Sequence, residues 1–316
     1  MRAVYLDQDG IQFRTDHPLV QSDTEIAVRV LVAGICETDL QLVKGYMGFR
    51  GVPGHEFVGV AQSGKFAGQR VVGEINCSCG NCKLCQSGLS NHCPHRSVIG
   101  ILNHDGAFAE TVNVPEANLH AVPDSVSNET AVFTEPLAAA FQVPAQLDLA
   151  QFRRAVVIGD GRLAYLIAQV LRLGPCEVLV VGKHEEKLNR FKLLGFETRL
   201  LSQTPSRREF DLAVDCSGSP TGIPTALDYL RPRGTLVLKT TVAGSHEIDL
   251  APLVIDEITV VGSRCGPFDI ALSALENERV EVESLITGRF PLEQASDAFV
   301  SATLHSHGKI LLEVAS

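Results

Sequence analysis

Ala155-Val156-Val157-Ile158-Gly159-Asp160-Gly161-Arg162-Leu163-Ala164 is the stretch on which the fold turns. A short apolar run enters G-x-G-x-x-A and leaves as residues 163–173, whose apolar side chains recur at helical spacing. A strand that hands over to a helix through such a turn makes a phosphate cradle. Gly159 permits the tight turn, Gly161 lets the backbone approach a pyrophosphate, and Ala164 keeps helix and strand close. The first N–H groups of the helix, unpaired within it, then face the phosphates. The pattern also arises in chance strand-turn-helix units, so its weight comes from both flanks being right. Asp160 is an awkward neighbour for phosphate, and its side chain is expected to point away.

Working outward, short apolar runs recur at 178–181, 212–214, 235–238 and 258–261. Strands separated by helical stretches imply a parallel sheet covered by helices. The texture upstream is different. Runs at 26–32, 57–61, 70–72 and 108–114 are short, β-branched and broken by glycine, proline and polar turns, as in a β-rich barrel of irregular strands. The last fifty residues add a helical stretch at 295–302 and a final strand at 309–314. The expected organisation is a β-rich domain over 1–140 and a doubly wound α/β domain over 141–265, followed by a further helix-and-strand segment over 266–316. There is no internal repeat and no low-complexity tract.

A chain of 316 residues can bury two cores, and its 45% hydrophobic and 20% charged composition is that of a folded globular protein. A net charge of -10 argues against nucleic acid or an anionic membrane as the main partner. No apolar run approaches the length that spans a bilayer. The opening MRAVYLDQDG lacks the basic and apolar regions of a signal peptide, so a reducing, cytoplasmic location is expected for the nine cysteines.

Four of those cysteines follow Cys79-x2-Cys82-x2-Cys85-x7-Cys93, in a lobe over about 77–95. Thiolates this close converge on one tetrahedral ion if the backbone loops around it, and four sulfurs leave no open position. Such a site is structural. The competing reading is a set of free or disulfide-paired thiols. Cys77 falls outside the spacing and is read as a bystander. A second constellation combines Cys36-Glu37-Thr38-Asp39, Gly54-His55-Glu56 and Thr134-Glu135-Pro136. Cysteine, histidine and carboxylate suit zinc, and fewer than four protein ligands would leave room for a substrate. A lone Cys or His at a strand end is more often a packing residue, so the joint occurrence carries the weight.

These motifs, C-x-T-D, G-H-E-F-x-G, the four-cysteine lobe, E-P-L-A and V-I-G-D-G, stand in the order found in zinc-dependent medium-chain alcohol dehydrogenases, and the chain resembles that family end to end. The resemblance implies a GroES-like catalytic domain built from both chain ends, with a Rossmann domain inserted. It implies catalytic-zinc ligands at Cys36, His55 and Glu56. Glu135 matches a further acidic position of the polyol, threonine and glucose dehydrogenase branches. Thr38 matches the hydroxyl that relays the substrate proton, and Asp39 the carboxylate that orients the histidine. Cys79, Cys82, Cys85 and Cys93 match the structural-zinc lobe. Two zinc ions per chain, NADP or NAD, a small alcohol or carbonyl substrate and a homodimer or homotetramer are thereby expected. Two departures, a trimmed stretch after Gly59 and Gln69 in place of the usual aspartate, touch no ligand.

The acidic shell favours a polar secondary alcohol, such as a polyol, sugar or amino alcohol. The rivals are a simple alcohol or aldehyde reductase, and a non-catalytic protein that keeps the fold. Cofactor choice turns on Gly182-Lys183-His184, about twenty residues past the glycine turn, where an NAD enzyme places an acid. Gly182 would leave space for a 2′-phosphate, with charge from Lys183 and a weaker donor in His184, which favours NADP. The alternative makes Lys183 a solvated turn residue and takes the acid from Glu185 or Glu186.

Overall fold

A computed structural model of the chain describes residues 1–19, 22–203, 208–240, 247–304 and 308–314. It divides into one unit of Met1–Glu135 with Phe268–Ser316 and a second of Pro136–Pro267. The first unit is built on a seven-stranded mixed sheet. Its strands run in the order Ile286–Pro291, Lys309–Glu313, Ile26–Ile35, Glu56–Ala61, Arg70–Gly73 and Leu119–Ala121, and Thr111–Val114 adds to the edge of Ile26–Ile35. The carboxy-terminal strand pairs antiparallel with Ile26–Ile35, Ile310 opposite Ile35, so the chain's end completes the sheet that its beginning starts. Alternation along these strands sends Val28, Val30, Phe57, Val71, Val112, Ile310 and Leu312 into one core. This is the GroES-like architecture expected.

The run at 108–114 is a strand only from Thr111. Before it, Ala107 N donates to Gly54 O (2.9 Å) and Phe108 N to Pro53 O (3.0 Å). That backbone is committed to bracing the Pro53-Gly54 turn that carries His55, which withdraws it from the ladder.

The second unit holds a six-stranded parallel sheet: β1 (Arg154–Ile158), β2 (Glu177–Gly182), β3 (Glu197–Leu200), β4 (Phe210–Asp215), β5 (Leu230–Leu238) and β6 (Thr259–Gly262). Their spatial order is β3-β2-β1-β4-β5-β6, the doubly wound arrangement whose strand order reverses beside β1. Helix α1 (Arg162–Arg172) follows β1, and every residue from Ala164 to Leu171 is buried. Helix α2 (Glu185–Leu193) follows β2 and buries only Leu188 and Phe191, as its charged sequence dictates. Among the described residues no helix is long and apolar enough to cross a membrane.

Candidate metal and dinucleotide sites

Cys36 ends the strand Ile26–Ile35 and caps the helix Glu37–Val43, while His55 and Glu56 open the neighbouring strand. The register of the two strands places Gly34 opposite Glu56 and so gathers these ends. The ligand atoms of Cys36, His55 and Glu56 lie within 4.8 Å of one another. Asp39 is fully buried and ties the set together. It accepts from Cys36 N (2.8 Å) and Gly54 N (3.3 Å), and its Oδ1 stands 3.4 Å from His55 Nδ1. With that carboxylate on its Nδ1 side, close to it but not hydrogen-bonded, the ring offers Nε2 to an ion. Burial draws the His55 pKa down, but the charge of Asp39, with Cys36 adding, raises it well above its ordinary value. The pocket therefore stabilises positive charge at this point. Thr38 Oγ1 lies 3.8 Å from Cys36 Sγ.

Glu135 behaves differently from Glu56. It sits in the first turn of the helix Thr134–Gln146, and its carboxylate is not among the ligand atoms that the structure gathers with Cys36, His55 and Glu56.

A partner for Glu56 was not anticipated from the sequence. Lys309, at 2% exposure, forms an ion pair with Glu56 Oε2 and also donates to Ile35 O (3.4 Å). The other oxygen, Oε1, is buried without a partner among the described residues. A buried carboxylate oxygen is costly to leave unpaired, and one beside a cysteine and a histidine is suited to a metal ion. The donor set thus fits zinc, with the lysine holding the second oxygen. The sequence signal for Lys309 is a lysine that opens an otherwise apolar strand, Lys309-Ile-Leu-Leu.

The four cysteines converge. Cys82 Sγ is 3.5 Å from Cys85 Sγ and 3.9 Å from Cys93 Sγ, and Cys93 Sγ is 3.5 Å from Cys79 Sγ. Tetrahedral zinc with Zn–S of roughly 2.3 Å sets its sulfurs about 3.8 Å apart. These separations match that spacing and are far too long for disulfides. A backbone hydrogen bond from Cys79, acting against burial and joined by one from His95, holds the Cys93 thiol below its ordinary pKa. Burial, with hydrogen bonds involving Cys82 and Cys93, pushes Cys85 the other way, up to about 11, so it is the sulfur spacing that identifies the tetrad as a metal site.

In the second unit Gly159 adopts φ 130, a region that L side chains rarely enter, and a Cβ there would lie 2.7 Å from Cys216 O. Gly161 caps α1 with open space where its side chain would be, the room a pyrophosphate needs. Ala164 is fully buried against the sheet. Asp160 turns to the end of β2, as expected for a side chain directed away from phosphate. Its Oδ2 accepts from Lys183 N (2.7 Å) and His184 N (2.8 Å) and lies 3.0 Å from His184 Nδ1. One expectation is corrected here. Gly182 does not open free space, because a Cβ there would meet Asp160 Cβ at 2.6 Å. The gap is filled by a carboxylate from the first turn, already satisfied by the second. Lys183 is exposed.

The chain matches the alcohol dehydrogenase GroES-like domain over residues 22–124 and the zinc-binding dehydrogenase domain over residues 163–277. Among curated proteins it is 27% identical to a sorbitol dehydrogenase of Halalkalibacterium halodurans, covering 99% of each chain. Among solved structures it is similar to the alcohol dehydrogenase RspB of Escherichia coli CFT073 complexed with NADH, at TM-score 0.91, 26% identity and 99% of each chain. It is also similar to a zinc-binding dehydrogenase of Sinorhizobium meliloti 1021 bound to NADP, at TM-score 0.89, 25% identity and 99% of each chain.

Proposed function

Because the chain belongs to the zinc-dependent medium-chain alcohol dehydrogenase family, we propose that it transfers a hydride between a polar secondary alcohol, or the matching carbonyl, and NAD(P). The observation that carries this reading is the convergence of Cys36, His55 and Glu56 with a hydroxyl, that of Thr38, beside the ligand sulfur. Zinc held by Cys36, His55 and Glu56 would supply Lewis acidity toward the substrate oxygen, and a nicotinamide cofactor would supply the hydride acceptor or donor. The chain's own residues do the rest. Asp39 fixes the tautomer and ring of His55, Lys309 holds one oxygen of Glu56, and Thr38 takes the hydroxyl proton on its way to solvent. The sorbitol dehydrogenase relative and the acidic ligand Glu56 support a polyol, sugar or amino alcohol as substrate. A cofactor-reduction screen over polyols, sugars, amino alcohols and simple alcohols on the zinc-loaded protein tests this. Turnover of simple alcohols alone would overturn the substrate class, and no turnover of any alcohol or carbonyl would overturn the activity.

Thr38→Ser keeps the hydroxyl and should retain most of the activity. Thr38→Val should lower kcat by on the order of 10²-fold, the scale of a positioned proton carrier, with the zinc content unchanged. A Val variant as fast as wild type would remove Thr38 from the proton path.

For the cofactor we favour NADP. Lys183 is exposed at the end of β2, and Asp160 is engaged by the two backbone N–H groups and His184 rather than left bare to repel a 2′-phosphate. Lys183→Ala should reduce kcat/KM for NADP about tenfold, the loss of roughly 1.4 kcal/mol of charge pairing, and leave NAD unchanged. A wild type that prefers NAD, or equal losses with both cofactors, would assign the choice elsewhere. Gly182→Asp is a poor test, since the new side chain would collide with Asp160. Leu250, Val254 and Ile255, at 60%, 76% and 77% exposure, support self-association into a homodimer or homotetramer, which light scattering reads directly.

A further inference from the structure

A third group of metal-type ligands lies in the first unit, apart from both sites above. The ligand atoms of Glu25, Cys77 and His104 lie within 4.8 Å of one another. Glu25 immediately precedes the strand Ile26–Ile35, Cys77 is in the short strand Asn76–Cys77 at the stem of the four-cysteine lobe, and His104 is on the loop that follows Ser97–Val98. They come from three separate segments, so their meeting is a product of the fold.

The loop that presents His104 is fixed by its backbone. Gly100 N donates to His104 O (3.0 Å), Leu102 N to Val98 O (2.9 Å) and Gly106 N to Val52 O (2.7 Å). Asp105 Oδ1 accepts from Val52 N (2.8 Å), which holds the loop from the other side. His104 Nδ1 donates to Asp105 O at 2.7 Å, and a ring so engaged turns its Nε2 lone pair outward. That Nε2 stands 3.3 Å from Glu25 Oε1, the separation that two ligands of one tetrahedral ion have when each lies roughly 2.0–2.1 Å from it.

We propose that Glu25, Cys77 and His104 form a third zinc site. A thiolate, an imidazole and a carboxylate are the mixed donor set zinc accepts, and softer or harder ions would take a more uniform one. The fourth position is open to water, because the side chains of Glu25 and His104 keep 23% and 11% exposure. Three protein ligands hold an ion less firmly than four sulfurs. This zinc exchanges more readily than the lobe's own ion and pins the stem of the lobe to the strand Ile26–Ile35 and to the loop of His104.

The test counts zinc on the full-length protein dialysed against micromolar zinc. Wild type should hold three ions per chain. Cys77→Ala and His104→Ala should each hold two, with the four-sulfur and Cys36 sites still filled and alcohol turnover retained. Zinc should raise the melting temperature of the wild type more than that of either variant. Glu25→Gln, an isosteric change at a partly exposed side chain, guards against misfolding of the other two variants and should weaken the third binding step by about 10-fold or more. Two ions in zinc-saturated wild type would overturn the proposal, as would three ions in every variant. The proposal does not depend on the reaction, since Cys36→Ser would remove a different ion from each of these proteins.

Discussion

Cys36→Ser lowers turnover by about 10³-fold or more, because Lewis-acid stabilisation is worth several kcal/mol and each 1.4 kcal/mol is about a factor of ten. Serine is nearly the size of cysteine, but its hydroxyl is a poor ligand at neutral pH, so the ion at Cys36, His55 and Glu56 is lost. The fold survives. Cys36 is only half-buried, and its backbone N–H still bonds Asp39. Zinc per chain should therefore fall by one, with an unchanged circular dichroism spectrum and the lobe's ion in place. Cys82→Ser is the contrasting variant. It removes a sulfur from the closed tetrad and should lower the melting temperature and solubility, because a structural zinc contributes to folding outright. A Cys36→Ser enzyme that turns over within tenfold of wild type, or one that unfolds, would refute the assignment of Cys36 as a catalytic ligand.

Lys309→Met is expected to destabilise the first unit strongly. It deletes the counter-charge of a carboxylate at 1% exposure, and breaking a buried pair on one side costs about 3–5 kcal/mol. Methionine fills the volume, so the loss is electrostatic rather than a cavity. The size of the effect depends on the metal. Zinc on Glu56 Oε1 supplies positive charge of its own, so the penalty shrinks when that site is loaded. A double-mutant cycle reads this coupling by denaturant unfolding. Lys309→Met should cost more in a Cys36→Ser background, which lacks the ion, than in zinc-loaded wild type. Equal costs in the two backgrounds would mean that Glu56 does not share its charge between Lys309 and the metal.

Much of this was legible in the sequence because it is local. The four cysteines fall within fifteen residues, and their spacing alone limits how the backbone can wrap. The glycine turn is local for the same reason. Gly159 needs a backbone conformation that few other residues reach, and the strand and helix on either side show their periods plainly. Cys36-x-Thr38-Asp39 places the helix cap, the hydroxyl and the histidine's carboxylate partner within one turn. Gly182 shows the limit of such reading. Its missing side chain looked like open space, but space depends on what comes from elsewhere in the chain, and Asp160 had already filled it.

The sequence by itself determined the doubly wound unit, the sulfur tetrad and the types of ligand available for a second ion, since each rests on spacings that short-range geometry enforces. Tertiary structure alone decided which carboxylates those ligands meet. Glu56 and Lys309 are 253 residues apart, and they touch because Ile26–Ile35 pairs with Glu56–Ala61 on one edge and with Lys309–Glu313 on the other. Glu25, Cys77 and His104 meet for a similar reason: Glu25 adjoins the seven-stranded sheet, while Cys77 and His104 come from a separate two-stranded sheet and the loop after it. A charge or a sulfur has no preferred partner along the chain. Its partner is chosen by strand register, and register is set by which side chains the whole core can bury.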